Sequence, residues 1–361
     1  MNILYISALE GGKYTGPIYS VPSRIRGQQE FDNVYWVNLT EIENAKLFSK
    51  DFYHYIPWKS FKFESLPAPF NKPDLVVFEE FFKIECCIVA RKVESHGIPY
   101  IIVPRCQMTE NYMKNKNLKK VVASALLFNH FVNKARAVQF LTEQEKIESK
   151  DFYNGDSFVM PNGIYLQNEC ARISTNPVIG TFIGRYSVWQ KGLDLLFEAV
   201  EKKKELLKEN NVIFELYGPD DRTGSSESIR EMAKEKGLEE LVRVNGPVFD
   251  EKKKKVLLNS SFFVHTSRFE GMPIAVLDAL SYGVPCLVTQ GSNVREVVED
   301  NDAGWGADNS VVSIQQALVN MCNSINVMQE KSIHAKEVAK MFSWGEISKK
   351  SHEVYEKLTT T

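Results

Sequence analysis

The sequence has 361 residues, of which 43% are hydrophobic and 25% charged, a composition typical of a globular protein large enough for two domains. A formal net charge of −2 argues against a nucleic-acid-binding protein, since such proteins carry a large excess of positive charge. The six cysteines form no CxxC pair and no metal-ligand spacing, so we interpret them as reduced thiols. No DxD-like metal site is evident either, and we expect neither a metal nor a cofactor.

Short apolar runs alternate with longer amphipathic stretches along the whole chain. In the first half we predict helices at 81–96 and 118–135, and strands at 3–6, 33–39, 75–78, 100–103, 137–141 and 156–160. In the second half we predict strands at 178–183, 212–217, 242–244, 262–265 and 285–289, and helices at 192–210, 225–236, 250–259 and 275–282. This alternation occurs twice and therefore predicts two doubly wound α/β domains with parallel sheets.

The domain boundary is expected near 168–176, after the turn residues Pro161-Asn162-Gly163. We predict an N-terminal domain at 1–170, a C-terminal domain at 171–340 and an amphipathic last helix within 341–361. The N-terminus reads as a first strand, not as a signal peptide, and no apolar stretch approaches the ~18 residues of a membrane helix. These features predict a cytoplasmic protein, with peripheral binding at the inner face of the cell membrane left open.

The stretch 267–279 is the most informative motif. A predicted buried strand leads into a tight loop and then into a helix, with Pro273 suited to the first helical position. Gly271 lets the main chain approach a ligand, and a helix N-terminus readily binds an anion. Glu270 lies just ahead of that N-terminus, and Asp278 lies about two turns further on. A phosphate at the helix end, a sugar by Glu270 and a ribose near Asp278 would account for this pattern.

Loops after other predicted strands carry residues suited to the same kind of ligand, because ligands bind at the carboxyl ends of strands in open α/β sheets. Arg185 and Lys191 flank a loop that opens a helix, where two cations suit a diphosphate; the alternative is a pair of solvated surface cations. Glycines in these loops would let phosphate, base or ribose touch the main chain, although ordinary flexible turns would look the same. They are Gly11, Gly12, Gly184, Gly218 and Gly246, with Val248 close behind the last.

Taken in order, these residues resemble the retaining nucleotide-sugar glycosyltransferases of family 4. The similarity covers most of 178–305 and is specific as a set, whereas the first half matches more loosely. The matching segments are 184–192, 216–218, 245–246, 267–273, 279–285, 296 and 303–304, with 141–145, 161–164 and 342–344 outside that core. The resemblance implies the GT-B fold, an α/β architecture of two doubly wound Rossmann-like domains facing across a cleft, with the C-terminal helix crossing back.

The resemblance also implies a role for each matching position. Arg185 and Lys191 would hold the donor diphosphate, and Glu270, the first acid of the family's paired-acid motif, would contact the donor sugar. Asp278 stands where the family normally has glutamate and would bind the ribose hydroxyls with a shorter reach. The positions bordering sugar and phosphate would be Gly271, Met272, Pro273 and Ile274.

The first domain departs from the family, because many relatives have a histidine after the fourth strand and the stretch 103–108 has none. Arg105 is the candidate at that place for binding an anionic acceptor or sugar. The surrounding segment 105–136 holds seven basic residues and one acidic residue, a net charge of +6. It would attract an anionic membrane surface; the alternative is an ordinary solvated helix face.

The expected function is transfer of a hexose or N-acetylhexosamine from a nucleoside diphosphate sugar, UDP rather than GDP, with retention and without a metal ion. The acceptor would be a hydroxyl of a saccharide or lipid-linked molecule in cell-surface polysaccharide or glycoconjugate synthesis. The main alternative is a non-catalytic nucleotide-sugar-binding partner of another glycosyltransferase. An epimerase or phosphorylase on the same fold is a further alternative.

Overall fold

The computed structural model describes residues 1–10, 16–42, 49, 51–110, 112, 118–221 and 224–360, with the side chains of 118–125 left out. The chain forms two compact units. One comprises Met1–Gly163 together with Trp344–Thr361, and the other comprises Ile164–Ser343.

The first unit contains a parallel sheet. Its described strands are Asn2–Ser7 (β1), Asn33–Asn38 (β2), His54–Tyr55 (β3), Leu75–Phe78 (β4), Tyr100–Ile102 (β5), Ala137–Phe140 (β6) and Ser157–Val159 (β7). They pair in the order β3-β2-β1-β4-β5-β6-β7. The central strand β4 is buried along its whole length, as expected for an apolar strand covered on both faces.

Helices cover this sheet, and aromatic side chains fill the space beneath them. The described helices before the second unit are Gly16–Gln28 (α1), Ile84–Ser95 (α2), Leu118–Asn133 (α3) and Glu143–Glu148 (α4). Phe78 on β4 meets Phe131 on α3 edge to face, with ring centroids 5.1 Å apart. Such pairs contribute about 0.5–1.5 kcal/mol beyond the area they bury.

The C-terminal helix Trp344–Thr360 belongs to the first unit. Trp344 and Ile347 pack with Met160, and a Cβ added to Gly163 would lie 2.4 Å from the Trp344 ring. Further along, the hydroxyl of the buried Tyr355 lies 2.8 Å from the amide of Gln139 on β6. The helix is therefore held by a large apolar side chain at its start and by a buried polar contact near its end.

The second unit holds a second parallel sheet. Its described strands are Val178–Ile183 (β8), Val212–Tyr217 (β9), Val242–Asn245 (β10), Phe262–His265 (β11), Cys286–Thr289 (β12) and Gly304–Ala307 (β13). They pair in the order β10-β9-β8-β11-β12-β13, which is the Rossmann order. The described helices are Leu193–Lys202 (α5), Lys204–Glu209 (α6), Ser225–Glu235 (α7), Asp250–Leu258 (α8), Ile274–Ser281 (α9), Arg295–Asp300 (α10), Val311–Asn323 (α11) and Met328–Met341 (α12).

The segment 164–176 runs along the second unit. Ile164 donates its N–H to the carbonyl of Phe342 at 2.7 Å, and Ala171 donates to the carbonyl of Tyr282 at the same distance. Arg172 donates to the carbonyl of Leu258 at 2.8 Å. These main-chain bonds join the segment to the second unit, so the division at Gly163 lies a few residues ahead of the boundary expected near 168–176.

The predicted strands at 75–78, 178–183, 212–217 and 262–265 have the observed bounds, but several helices differ. The helix predicted over 192–210 is two helices, interrupted at Lys203. The helix predicted from 81 begins at Ile84, because the side-chain oxygen of Gln107 accepts the N–H groups of Phe81 and Phe82 and holds them in a loop.

Two of the elements absent from the prediction, β13 and α1, have weak local signals. Strand β13 contains two glycines, and α1 begins with Gly16-Pro17 and contains Pro22, residues that usually mark turns. Helices α11 and α12 and the two-residue edge strand β3 are also missing from the prediction. None of the described helices has the length and apolar character needed to span a membrane.

Replacing Trp344 tests how strongly the C-terminal helix stabilises the first unit. Trp344→Ala should lower the free energy of unfolding by about 3–5 kcal/mol, because a buried indole is lost and a cavity remains. Trp189→Ala is the matched control: that side chain is 53% exposed and should cost about 1 kcal/mol or less. Urea unfolding followed by circular dichroism measures both, and equal losses would contradict the packing described.

Candidate functional site

The order of strands reverses at the centre of the second sheet, and this reversal creates a crevice. From β8 the chain proceeds through β9 to the edge strand β10, and then crosses to β11 on the other side of β8. Loops leaving β8 and β11 therefore diverge at the carboxyl end of the sheet. Ligands of open α/β sheets bind at this kind of position.

A lysine and a glutamate from these two loops meet at the crevice. Lys191 Nζ, on the loop after β8, lies 2.5 Å from Glu270 Oε1, on the loop after β11. The Ser267 hydroxyl donates to the same oxygen at 3.0 Å. Among the residues that the structure describes, none donates to Glu270 Oε2, so this oxygen can accept a bond from a ligand.

Burial and charge act in opposite directions on Glu270. Burial alone would raise the pKa of its carboxyl, because a charge is poorly solvated there, but the ammonium of Lys191 outweighs this and lowers the pKa below its usual value. The two side chains are only 14% and 15% exposed. Glu270 is therefore an anion held in place near neutral pH, suited to accept hydrogen bonds from hydroxyl groups.

A close approach of main chains brings Lys191 to Glu270. Gly192 has a φ of 60°, and a Cβ there would lie 2.0 Å from the carbonyl oxygen of Thr266. The Thr266 hydroxyl lies 3.1 Å from the carbonyl oxygens of both Lys191 and Gly192. Only glycine allows this contact, since any side chain would push the two loops apart.

Side chains from neighbouring elements fix the loop around Glu270. Arg268 forms a two-pronged ion pair with Asp194 in the first turn of α5, with both bonds at 2.7 Å. Asn293, between β12 and α10, donates to the carbonyl of Glu270 at 2.5 Å and to that of Gly271 at 3.2 Å. The loop is thus tied on both sides, which limits its freedom to reorganise when a ligand binds.

The helix after this loop begins at Ile274, so Pro273 precedes the first helical position that the sequence predicted for it. Pro273 has an extended ψ of 108° and is the N-cap of α9, because its carbonyl accepts the N–H of Val276 at 3.0 Å. Ile274 is the first helical residue, and Met272 is buried beside Gly271. The N-terminus of an eight-residue helix therefore follows Glu270 and contributes positive electrostatic potential there.

Arg185 lies on the same loop as Lys191, close to the end of β9. Its guanidinium donates to Asp221 Oδ1 at 2.5 Å, and its side chain is 39% exposed. Gly184 and Gly218 bring the two loops together, since a Cβ on Gly218 would lie 1.9 Å from the carbonyl oxygen of Gly184. An anionic ligand would therefore compete with Asp221 for Arg185.

The loop after β10 contains two further residues predicted to bind the donor. Gly246 is exposed and would have open space around a Cβ, and Val248 is half-buried in the same loop. The hydroxyl of the buried Tyr186 lies 2.6 Å from the carbonyl oxygen of Asn245 and 2.8 Å from that of Leu216. Tyr186 thus ties the ends of β9 and β10 to the loop after β8.

Asp278, the predicted second acid, lies on α9 and pairs with Lys253 of α8. The Asp278 side chain is 17% exposed and that of Lys253 is 28% exposed. Three cations at this end of the unit, Lys191, Arg185 and Lys253, each face a carboxylate. A ligand that binds here therefore meets charges that are already paired.

In the first unit, Arg105 is engaged within the protein. Its guanidinium contacts Glu79 Oε2 at 2.5 and 3.1 Å and the hydroxyl of Ser20 at 2.9 Å, and its side chain is 6% exposed. Both Arg105 and Cys106 have positive φ angles, 52° and 65°. These contacts hold Arg105 beside the end of β4, so an anionic acceptor or sugar would have to compete with Glu79 for its guanidinium.

The structure does not describe every residue to which the sequence analysis assigned a role. Gly11 and Gly12 lie outside the described residues, and so do Lys114 and Lys116 of the basic segment 105–136. Of the other lysines and arginines in that segment, Lys134 lies 3.7 Å from Glu94, and Arg136 donates to the carbonyl of Leu358 at 3.2 Å. The described part of the segment therefore shows its positive charge partly engaged with neighbouring groups.

Several residues of the site have no role predicted from the sequence. They are Asp194, Asp221, Lys253, His265, Thr266 and Asn293. For His265 the sequence does hold a signal, since a polar residue that closes a buried apolar strand sits at the carboxyl end where ligands bind. Within the described ranges, no three His, Cys, Asp or Glu side chains converge in a way that could hold a metal ion.

Comparison with known proteins places the second unit in a family. Residues 177–324 match the sequence model of the glycosyl transferases group 1. This segment belongs to that family. The chain is 25% identical over 232 residues to one component of the phosphatidylinositol N-acetylglucosaminyltransferase of Arabidopsis thaliana, and 24% identical over 192 residues to the GPI3 component of the same enzyme from Saccharomyces cerevisiae. These alignments cover 63% and 52% of this chain, and 49% and 40% of the relatives, so the chain spans about half or less of their length.

Solved structures agree over the whole chain. Sucrose-phosphate synthase of Thermosynechococcus elongatus has a TM-score of 0.76 at 14% identity, covering 99% of both chains. Anabaena HepE in complex with UDP and glucose has a TM-score of 0.74 at 15% identity, covering 99% of this chain and 100% of the other. The predicted GT-B fold is confirmed by these likenesses.

Two helix-capping glycines test the close approach of the loops. Gly192→Ala and Gly224→Ala both place a side chain at a positive φ, 60° and 87°, but a Cβ at Gly224 would meet nothing within 4 Å. Gly224→Ala should cost about 1–2 kcal/mol for the backbone conformation alone. Gly192→Ala must also displace Thr266 and should cost clearly more in a thermal or urea unfolding experiment. Similar costs for both variants would contradict the proposed contact.

A double-mutant cycle tests the buried ion pair. Lys191→Met should destabilise the protein by about 3 kcal/mol, because the carboxylate of Glu270 is left buried without its cation. Adding Glu270→Gln should recover part of that loss, since the uncompensated charge disappears. Urea unfolding of the two single variants and the double variant measures the coupling, and strictly additive losses would exclude a direct interaction.

Proposed function

We propose that this protein transfers a hexose or N-acetylhexosamine from a nucleoside diphosphate sugar to a hydroxyl group of a saccharide or lipid-linked acceptor. The observation that carries the proposal is the Lys191–Glu270 pair at the switch point of a glycosyl transferases group 1 segment. It supplies a cation for phosphate and an anion for sugar hydroxyls within one crevice.

The leaving group in such a reaction is a nucleoside diphosphate, whose negative charge grows as the sugar departs. Lys191, Arg185 and the N-terminus of α9 would stabilise that charge; fixed positive groups of this kind usually make the largest contribution to catalysis. In this proposal they act without a metal ion. Binding would require the diphosphate to share Lys191 with Glu270 and to replace Asp221 at Arg185.

The remaining donor contacts follow from the same geometry. Glu270 Oε2 would accept bonds from hydroxyls of the donor sugar, while Lys191 and Ser267 hold Oε1. Asp278 would accept bonds from the ribose, with Lys253 holding its carboxylate in place. Gly184, Gly218 and Gly246 would admit phosphate, ribose or base close to the main chain.

No described side chain stands out as a nucleophile beside Glu270, and we propose retention through attack on the same face of the sugar, assisted by the departing phosphate. UDP is the proposed nucleotide. Its support is the solved relatives: HepE and a variant of TarM from S. aureus are each described in complex with UDP. The TarM variant is 20% identical, with a TM-score of 0.63, covering 80% of this chain and 55% of the other.

A second candidate is a non-catalytic, nucleotide-sugar-binding component of a larger glycosyltransferase. It is supported by the curated relatives, which are named as subunits and extend well beyond the part that this chain matches. In that case the isolated chain would bind the donor without turnover. We also propose a cytoplasmic location, with peripheral contact of segment 105–136 with an anionic membrane surface.

The proposal predicts which ligands bind and which variants lose them. UDP and UDP-sugars should raise the melting temperature in proportion to affinity, and Lys191→Met should weaken UDP binding about 10- to 100-fold, since a charged hydrogen bond is worth about 1.5–3 kcal/mol. Glu270→Gln should spare UDP but weaken UDP-sugar and abolish transfer. Lys208→Met, which breaks an exposed pair with Glu240, is the control and should change neither.

Three outcomes separate the candidates in this experiment. Release of UDP with a retained anomeric configuration, unaffected by a chelator, supports a metal-independent transferase. Donor binding with no turnover supports the non-catalytic component. If the wild type and Lys191→Met bound all nucleotides equally, the transferase and the non-catalytic component would both be overturned as candidates.

A further inference from the structure

His265 is a buried histidine next to the site, and the proposed function gives it no role. His265 is the last residue of β11 and is 1% exposed, with the rings of Phe182 and Phe263 nearby at centroid distances of 6.5 and 6.4 Å. Its Nδ1 is buried and has no hydrogen-bond partner among the described residues. A buried polar atom without a partner destabilises the fold, so the question is what the other ring nitrogen does.

The other ring nitrogen faces the site. His265 Nε2 lies 3.4 Å from the Ser267 hydroxyl and 3.9 Å from Glu270 Oε1. The titratable groups that act on the imidazole are Lys191 and Glu270. Burial, assisted by the charge of Lys191, lowers the pKa of His265 to about 3, so the ring is neutral throughout the range in which enzymes work.

A neutral imidazole carries one N–H, and the contacts decide where it is. The Ser267 hydroxyl has a single hydrogen, which it donates to Glu270 Oε1 at 3.0 Å. Its oxygen can therefore only accept from His265. The hydrogen must then be on Nε2, and the unpartnered Nδ1 carries the lone pair.

We propose that His265 is a positioning residue for Glu270, acting through Ser267 as a neutral N–H donor. The chain of bonds from His265 to Ser267 to Glu270 Oε1 sets the rotation of the carboxylate. Together with Lys191 it fixes Oε1 inside the protein and leaves Oε2 for the donor sugar. This inference rests on the proposed function, because the sugar contact of Glu270 is assigned there.

Replacing His265 with glutamine or asparagine, whose side-chain amides lie at different distances from the main chain, tests this role. His265→Gln can place an N–H at the position of Nε2, whereas His265→Asn places one at the position of Nδ1. We expect His265→Gln to keep kcat/KM within about threefold of the wild type, and His265→Asn and His265→Leu to lose about tenfold or more, the value of one hydrogen bond. Equal losses in all three variants would reduce His265 to a packing residue and overturn the proposal.

The pH dependence gives a readout that packing alone would not move. Removing a donor from the neighbourhood of Glu270 should raise the pKa of its carboxyl, and a protonated Glu270 accepts hydrogen bonds more weakly than the carboxylate. The acid limb of kcat/KM should therefore move to higher pH in His265→Asn and His265→Leu, but not in His265→Gln. An acid limb that stays in place in all variants would overturn the proposal.

A measurement on the wild type needs no substrate and so is independent of the proposed function. With ¹⁵N-labelled histidine, the ring signals of His265, identified by their loss in His265→Gln, should show the Nε2–H tautomer at neutral pH. They should show no protonation down to about pH 4, because the pKa of the ring is lowered to about 3. An Nδ1–H tautomer, or titration near the ordinary histidine pKa of about 6.5, would overturn the proposal even if the protein transfers sugar as proposed.

Discussion

The ion pair between Lys191 and Glu270 is the interaction on which the site depends. Two charges that are about 85% buried lose most of their hydration, and their attraction offsets that loss only when the geometry is tight and the other polar atoms are bonded. The surrounding residues meet this condition. Ser267 bonds the carboxylate, Thr266 bonds the carbonyl of Lys191, and Asn293 bonds the carbonyl of Glu270. These bonds hold the two loops in place around the ion pair.

Much of the fold could be predicted because its signals are local. An apolar run such as 178–183 or 262–265 forms a strand wherever it occurs, and the alternation of strands and helices requires parallel sheets. Local signals also explain the errors. Gly16 and Pro22 indicate turns, yet α1 forms there, because packing of its buried residues Ile18, Val21 and Ile25 outweighs propensity.

The charged residues of the site could be predicted from the sequence, but the ion pairs that they form could not. The sequence identifies Arg185, Lys191, Glu270 and Asp278 as charged residues in loops or on a helix that reach one end of the sheet. It does not show that Arg185 faces Asp221 or that Asp278 faces Lys253, because these contacts join separate elements whose relative positions depend on the whole core. Nor does it show that Arg105 faces the buried Glu79.

Both sheets place an acid at their switch point, and the two acids differ in burial and in the cation that they face. In the first unit, Glu79 follows β4 directly and is fully buried, with Arg105 at one oxygen and Arg24 at 3.5 Å from the other. Arg105 donates two hydrogen bonds to Oε2, whereas Oε1 has no hydrogen-bond partner among the described residues. In the second unit the cation is a lysine, a single point of charge, and it engages only Oε1 of Glu270. Glu79 is fully buried, whereas the side chain of Glu270 is 15% exposed, so the difference in burial makes the second acid the more accessible of the two. In the function proposed above, that accessible carboxylate contacts the donor sugar.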